Sequence, residues 1–103
     1  MFRKSHVVLN GTMIAMSRFA DADDALLAEL ELVAEFWRGR EGNEYVEVLK
    51  NIDDEGLAAL LSKWVNVGAY RRAFSGYDAK MLLTPVLLKA IDEPSAYLNP
   101  QEF

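Results

Sequence analysis

Residues 57–65, with the sequence LAALLSKWV, constrain the fold of this chain more than any other segment. Their leucines and Trp64 follow the i, i+3, i+4, i+7 spacing of an amphipathic helix, and Asp53 or Asp54 would cap its start. The last four residues, SKWV, also suit the end of a β-strand, with Asn66 as the N-cap of a helix that follows. The spacing slightly favours a helix, and a strand that ends near the tryptophan is the alternative.

A helix that follows the aspartates of residues 21–24 is the clearest element of the chain. Asp21, Asp23 or Asp24 would cap its N-terminus, where a carboxylate also interacts favourably with the helix dipole. The two glycines of the segment RGREGNE end it. Its apolar stripe comprises Leu26, Leu30, Val33 and Trp37, widened by Leu27 and Ala34.

The segments on either side of this helix are predicted to be β-strands. Residues 12–19, TMIAMSRF, alternate along the chain. The alternation places Met13, Ala15 and Ser17 on one face and Ile14, Met16 and Arg18 on the other. Residues 44–52, EYVEVLKNI, are rich in strand-forming Tyr, Val and Leu, and the turn DDEG follows them.

The rest of the chain completes a single domain. Residues 77–92 carry a helical stripe in which Pro85 either kinks the helix or starts a new one, and Pro94 stops it. The segment SAYLN is then the predicted last strand. Residues 1–11 are either a tail or an edge strand, and residues 12–103 form the domain. The chain has 103 residues, of which 51% are hydrophobic, and this is enough for one core but not for two.

Charge and cysteine content exclude several classes of protein. The net charge is −5, and residues 21–35 carry acids without a base, so no nucleic-acid partner is expected; a solvated helix face explains these acids. The absence of cysteine excludes disulfides, thiolate metal sites and a cysteine nucleophile, and it fits a cytoplasmic protein. No apolar run approaches the ~20 residues that span a membrane. No signal-peptide pattern follows MFRKSH, so no membrane partner is expected.

Four stretches resemble the antibiotic biosynthesis monooxygenase family of the dimeric α/β-barrel superfamily. They are MIAMSRFAD, FWRGREGNEYVEVLKNIDDEG, LLSKWVNVGAYRRAFSGYDAKM and PVLLKAIDEPSAY, and together they cover roughly residues 12–98. The resemblance is closest to small actinobacterial members with an S-x-Y-x-x-K stretch after A-Y-R-R-A and with D-E-P-S-A near the end. Its best single feature is a strand-end tryptophan followed by a capped helix with an early aromatic residue, here Trp64 and Tyr70.

This resemblance implies an α+β fold with a ferredoxin-like β-α-β-β-α-β order, an antiparallel sheet and a dimeric α/β barrel. Residues 57–65 would then be the third strand, paired with residues 44–52 across the DDEG turn. Helices would cover one face of the sheet, and the other face, left apolar, would need a partner. In this family a homodimer closes two sheets into a barrel, and we therefore expect this chain to pair with a second copy of itself.

The resemblance also implies a chemistry. The family includes enzymes that oxidise polycyclic phenols or quinols with O2 and no cofactor, and it includes haem-degrading enzymes. The haem branch uses an asparagine on the first strand and a tryptophan and a histidine on the helix after the third strand. Here Ser17, Ala73 and Leu83 stand at or near those positions, so haem degradation is not expected. We expect no cofactor and a small aromatic phenol or quinol as the ligand.

The cleft between the helices and the sheet is the expected ligand site, because an apolar pocket with a few hydroxyls suits a flat aromatic molecule. Oxygenation without a cofactor also needs a base and a site that excludes water. The expected pocket residues are Met13, Ala15, Ser17, Trp64 and Phe74, and the candidate catalytic residues are Tyr70, Arg72, Tyr77 and Asp78. Core positions for Trp64, Tyr70 and Phe74 are the simpler interpretation, as is a solvated helix face for Arg72.

Two further details bear on the site. Tyr77 and Asp78 follow a Ser-Gly break, where we expect a loop that points into the cleft. His6 is the single histidine and has no cysteine or second histidine near it, and the acidic IDDEG turn lacks EF-hand spacing, so no metal site is expected.

Three hypotheses about function follow. The first is a cofactor-independent monooxygenase that acts on a small aromatic phenol or quinol. The second is a non-catalytic dimer that binds a small apolar molecule or supports a biosynthetic enzyme. The third is an all-helical adaptor, which requires residues 57–65 to be helical.

Overall fold

The computed structural model describes residues 11–103 and shows an α+β chain. The strands are β1 (Met13–Phe19), β2 (Asn43–Lys50), β3 (Ala58–Trp64) and β4 (Ala96–Leu98), and the helices are α1 (Asp24–Arg38), α2 (Val67–Arg72) and α3 (Tyr77–Leu87). A short 3-10 turn, Pro100–Glu102, follows β4. The tail or edge strand expected in residues 1–11 lies almost entirely outside the described residues. No helix in the described part of the chain is long and apolar enough to cross a membrane.

The strands form one antiparallel sheet in the order β2-β3-β1-β4. Together with the element order, this confirms the ferredoxin-like layout that the resemblance implied. β2 and β3 pair across the DDEG turn as expected, with Val46 opposite Ser62 and Val48 opposite Leu60. A sheet with four strands also excludes the all-helical adaptor.

The slight preference for a helix in residues 57–65 was wrong, and the position of β3 in the sheet explains why. β3 lies between β1 and β2 and is hydrogen-bonded to both. Its side chains alternate between the two faces, so that Leu60, Ser62 and Trp64 are buried while the residues between them are partly exposed. Pairing on both edges and burial of one face outweigh local helix propensity, which amounts to only tenths of a kcal/mol per residue.

Side-chain caps begin α1 and α2 at two of the candidate residues, whereas α3 begins without a side-chain cap. The Asp23 carboxylate accepts a hydrogen bond from the backbone N–H of Leu26 at 2.8 Å and begins α1. The Asn66 side chain accepts one from Ala69 at 2.8 Å and begins α2. Pro85 lies inside α3, which settles the choice that the sequence left open. The buried residues of α1 are the predicted stripe, Leu26, Leu30, Val33, Ala34 and Trp37.

The two faces of the sheet differ in their surroundings. One face packs against the helices and forms the core, to which β1 contributes Met13, Ala15 and Phe19. The opposite face, called here the open face, carries apolar side chains that the helices do not cover. Its most exposed members are Met16, Tyr45, Leu49 and Tyr97. The chain thus has one buried sheet face and one face, largely apolar but carrying Arg18, that the helices leave uncovered.

Candidate functional site

A cavity of about 410 Å³ lies between β1, the end of α2 and the end of α3, and we call it the main cavity. It is lined by Ser17, Tyr70, Phe74, Leu87, Leu88, Ala90, Ile91, Asp92, Glu93 and Ser95. Two aromatic rings and several aliphatic side chains make its apolar part. Three hydroxyl-bearing residues (Ser17, Tyr70 and Ser95) and two acidic residues (Asp92 and Glu93) make its polar part. A site that combines an apolar wall with a few polar groups is the usual form of a small-molecule pocket.

Residues 91–95 reach this cavity through hydrogen bonds to β1. The backbone N–H of Ile91 donates to the carbonyl of Arg18 at 2.8 Å, and the N–H of Met16 donates to the carbonyl of Ser95 at 2.7 Å. β4 pairs with β1 only at residues 13–15, so residues 91–95 run along the part of β1 that β4 leaves uncovered. The sheet edge therefore positions Asp92, Glu93 and Ser95.

Arg18 holds the Glu93 carboxylate with two parallel hydrogen bonds. Its Nε donates to Oε2 at 2.7 Å, and its Nη2 donates to Oε1 at 2.8 Å. These hydrogen bonds lower the pKa of Glu93, and the opposite charge of Arg18 adds to the effect. Glu93 is therefore an ionised group whose two oxygens are already engaged, and it contributes negative charge rather than a free base.

Glu93→Gln should lower stability at neutral pH and have little effect on stability in acid. The folded pKa lies below that of an unfolded glutamate, about 4.3, so the stabilisation is complete above that value and is lost as the pH falls through the folded pKa. Urea unfolding measures the free energy of unfolding of the wild type and of E93Q from about pH 7 to about pH 3. The difference between the two free energies should shrink as the pH falls. A double-mutant cycle with Arg18→Met is the control, and a coupling energy that does not change with pH would contradict the assignment.

Tyr70 stands at the centre of an aromatic cluster. Its ring packs edge-on against Trp64, with centroids 5.7 Å apart, and against Phe74, with centroids 5.0 Å apart. Burial raises the pKa of the phenol, and a side-chain hydrogen bond with Ser95 partly opposes this rise. Tyr70 is therefore neutral at pH 7. Its neutral hydroxyl can donate or accept a hydrogen bond.

The predicted pocket residues divide between the main cavity and the core. Ser17 and Phe74 line the main cavity, and Met13 lines a smaller cavity on the other side of Tyr70. Trp64 and Ala15 are buried in the core. The indole Nε1 of Trp64 donates to the buried Ser62 hydroxyl at 2.9 Å, so its polar atom is satisfied inside the protein.

The predicted catalytic residues Tyr77, Asp78 and Arg72 do not join Tyr70 in lining the main cavity. Tyr77 and Asp78 are the first residues of α3 rather than part of a loop, and the Tyr77 side chain is 76% exposed. Gly76, with φ 97°, allows the sharp change of direction at which α3 begins. Arg72 is exposed at the end of α2, next to a surface cavity that it shares with Arg40.

Sequence reasoning did not single out Asp92, Glu93 and Ser95. The signal was present as the acidic pair in IDEPS, between an apolar helix and the last strand. The apolar stripe of residues 83–91 concealed it, because that stripe predicted helical structure up to Pro94. α3 instead ends at Leu87, and the chain turns so that Ile91 bonds to β1.

The haem-branch positions are occupied by residues of a different kind. Ser17 lines the main cavity, while Ala73 and Leu83 are buried in the core. Within residues 11–103, no group of three or more His, Asp or Glu side chains is arranged to hold a metal ion.

Known proteins resemble this chain in fold and not in sequence. No protein-family model and no curated protein matches it. The structure is similar to SnoaB, a cofactor-independent oxygenase from Streptomyces nogalater, with a TM-score of 0.69 and 15% identity over 87% of this chain and 93% of SnoaB. It is also similar to a proposed antibiotic biosynthesis monooxygenase from Deinococcus radiodurans, with a TM-score of 0.67 and 17% identity over 84% of this chain and 91% of the other.

A third similar structure covers more of the chain. It is a proposed antibiotic biosynthesis monooxygenase from Nitrosomonas europaea, with a TM-score of 0.67 and 12% identity over 95% of this chain and 96% of the other. Identities this low establish the fold and leave the activity to be argued from the site. The chain has the ferredoxin-like α+β fold that is seen in SnoaB and in proteins proposed to be antibiotic biosynthesis monooxygenases.

Proposed function

We propose that this protein is a cofactor-independent monooxygenase that oxidises a small aromatic phenol or quinol with O2. The observation that carries the proposal is the main cavity, which is lined by Tyr70 and Phe74 together with Asp92. An aromatic ligand would stack on or lie edge-on to these rings. The fold shared with SnoaB supports the same reaction class.

Asp92 is the proposed general base. Both oxygens of Glu93 are held by Arg18, whereas the salt bridges of the described residues leave Asp92 free to accept a proton. The neutral hydroxyl of Tyr70, next to Ser95, would hydrogen-bond the oxygen of the substrate. The base needs hydrogen-bond reach to the proton that it removes, and Asp92 borders the same cavity as Tyr70.

The reaction balances without a reductant from outside. Loss of the phenol proton to Asp92 yields a phenolate whose ring carbon carries negative charge, and this carbanion supplies the electrons to O2. In an anthrone, the ring methylene loses both hydrogens and becomes a carbonyl. One atom of O2 enters the product and the other leaves as water. The apolar side chains of the cavity would shield one side of the charged intermediate from water.

Asp92→Asn should lower kcat by about 100- to 10,000-fold, the range for loss of a general base. The measurement is O2 consumption with a panel of anthrones and quinols. Asp53→Asn, the same change in the exposed turn between β2 and β3, is the matched control and should leave kcat unchanged. A loss of activity in Asp78→Asn but not in Asp92→Asn would assign the base to the beginning of α3 instead.

A non-catalytic binding protein is the second candidate. It is favoured because two ionisable groups of the site, Tyr70 and Glu93, keep the same charge near neutral pH. Burial raises the pKa of Tyr70, and Arg18 lowers the pKa of Glu93, so neither group changes its charge near neutral pH. Such a cavity can bind an aromatic ligand without reacting with it. Ligand-induced thermal stabilisation of the wild type, with no O2 uptake for any member of the panel, would support this function over the first.

We also propose that the protein is a homodimer whose subunits meet through the open face of the sheet. Met16 and Leu49 expose 38% and 39% of their surface there, although both belong to strands of an otherwise well-packed sheet. An apolar sheet face of this kind normally has a partner. A second copy of the chain presents the same face, and two-fold pairing would bury both faces at once.

A further inference from the structure

Tyr70 lies between two cavities. On one side is the main cavity, and on the other is a smaller one of about 260 Å³, here the side cavity, near the start of β1. The side cavity is lined by Met13, Val67, Tyr70, Arg71, Ala96, Tyr97 and Leu98. Tyr70 is the single residue that lines both. The two cavities therefore adjoin at Tyr70.

The Tyr70 ring is held in this position from several directions. Trp37 and Trp64 pack edge-on against it with centroids 6.1 and 5.7 Å away, and Phe74 does so at 5.0 Å. Its backbone N–H donates to the Asn66 carbonyl at 3.3 Å, in the first turn of α2. A ring enclosed in this way resists displacement by a ligand, because several aromatic contacts would have to break together.

The two cavities differ in chemistry. Asp92 and Glu93 are among the residues that line the main cavity, whereas the lining of the side cavity has no acidic residue and includes Arg71. The remaining side-cavity residues are mostly apolar. A ligand long enough to occupy both would place its reactive phenol near Asp92 and its far end near a cation.

We propose that Tyr70 is a specificity-determining residue that limits the ligand to the length of the main cavity. Removing its ring joins the two cavities and admits a longer aromatic ligand, preferably one with an acidic group at the end distant from the phenol. This inference rests on the proposed function, because it takes the main cavity as the aromatic-binding site. It adds a limit on the length of the ligand and, once the ring is removed, a preference for a ligand with an acidic far end.

The test compares ligand affinities in variants of Tyr70. The probes are alpha-naphthol as the compact ligand, para-phenylphenol as the long neutral ligand, and the para′-carboxylic acid of that biphenyl as the long acidic ligand. Kd is measured by calorimetry or fluorescence quenching. In Tyr70→Ala, the affinity for the long ligands relative to naphthol should rise at least about tenfold. Tyr70→Phe keeps the ring and should keep the wild-type preference.

A second substitution tests whether the far end of the longer ligand lies in the side cavity. In the Tyr70→Ala background, Arg71→Gln should remove the extra affinity for the acidic biphenyl and leave that for the neutral biphenyl intact. A preference for long ligands in the wild type, or an unchanged preference in Tyr70→Ala, would overturn the role of Tyr70. Absence of binding of every probe to the wild type would instead overturn the proposed function itself.

Tyr70→Ala removes a packed ring, so two more variants keep the test decisive if it fails to fold. Tyr70→Leu preserves part of the volume and should shift the preference in the same direction. Ala96→Phe fills the side cavity while Tyr70 stays in place, and it should leave the affinity for naphthol unchanged. Weaker naphthol binding in Ala96→Phe would show that the cavities already communicate and would overturn the inference.

Discussion

Trp64→Ala should lower the free energy of unfolding by about 3–5 kcal/mol, a large part of the roughly 5–15 kcal/mol that a domain of this size has. Trp64 is fully buried at the end of β3. Its ring packs edge-on against Trp37 at 5.5 Å and against Tyr70 at 5.7 Å. The substitution leaves a cavity where the sheet meets α1 and α2. Urea denaturation followed by circular dichroism measures the loss.

The hydrogen bond of the indole gives this prediction a matched comparison. Trp64→Phe keeps a ring but leaves the buried Ser62 hydroxyl without its donor, which costs about 1–3 kcal/mol in addition to the lost contacts. Trp37 is also buried, yet its Nε1 has no hydrogen-bond partner among the described residues. Trp37→Phe should therefore cost less. Equal losses in the two Phe variants would show that the bond to Ser62 contributes little.

Met16→Glu should convert the proposed dimer into a monomer, with Kd raised by about 30- to 700-fold, corresponding to the roughly 2–4 kcal/mol of a hot-spot residue. Met16 lies on the open face, opposite Leu61 in the register of β1 and β3. A carboxylate there would lose its hydration against the partner, and Arg18, which lies on the same face, is already paired with Glu93. Sedimentation velocity at micromolar concentration measures the change.

Leu32→Glu is the control for the dimer. Leu32 is 62% exposed on α1, on the helical side of the molecule and away from the open face. The same apolar-to-acidic change there should leave the dimer intact. A wild type that sediments as a monomer at micromolar concentration, or a Met16→Glu variant that still dimerises, would refute pairing through the open face.

The parts of the site that sequence reasoning found are those that follow from local patterns. Alternation along β1 placed Ser17 on the helical face of the sheet, and the helix after Asn66 brought in Tyr70 and Phe74. Asp92 and Glu93 were not found. Glu93 is 75 residues away from Arg18 in the sequence, and only the sheet edge brings the two side chains together.

The fold also divides into features that local sequence determines and features that long-range contacts determine. Caps such as Asp23 and Asn66 act within three residues, so the sequence alone contained the candidate caps of α1 and α2, the second of them as the alternative to a helix through residues 57–65. The state of residues 57–65 was decided only in the tertiary structure, because a strand between β1 and β2 gains hydrogen bonds on both edges from residues far along the chain. The spacing of apolar residues along a helix gives no information about pairing between strands that are distant in the sequence. It determined both the architecture of the sheet and the place of the main cavity.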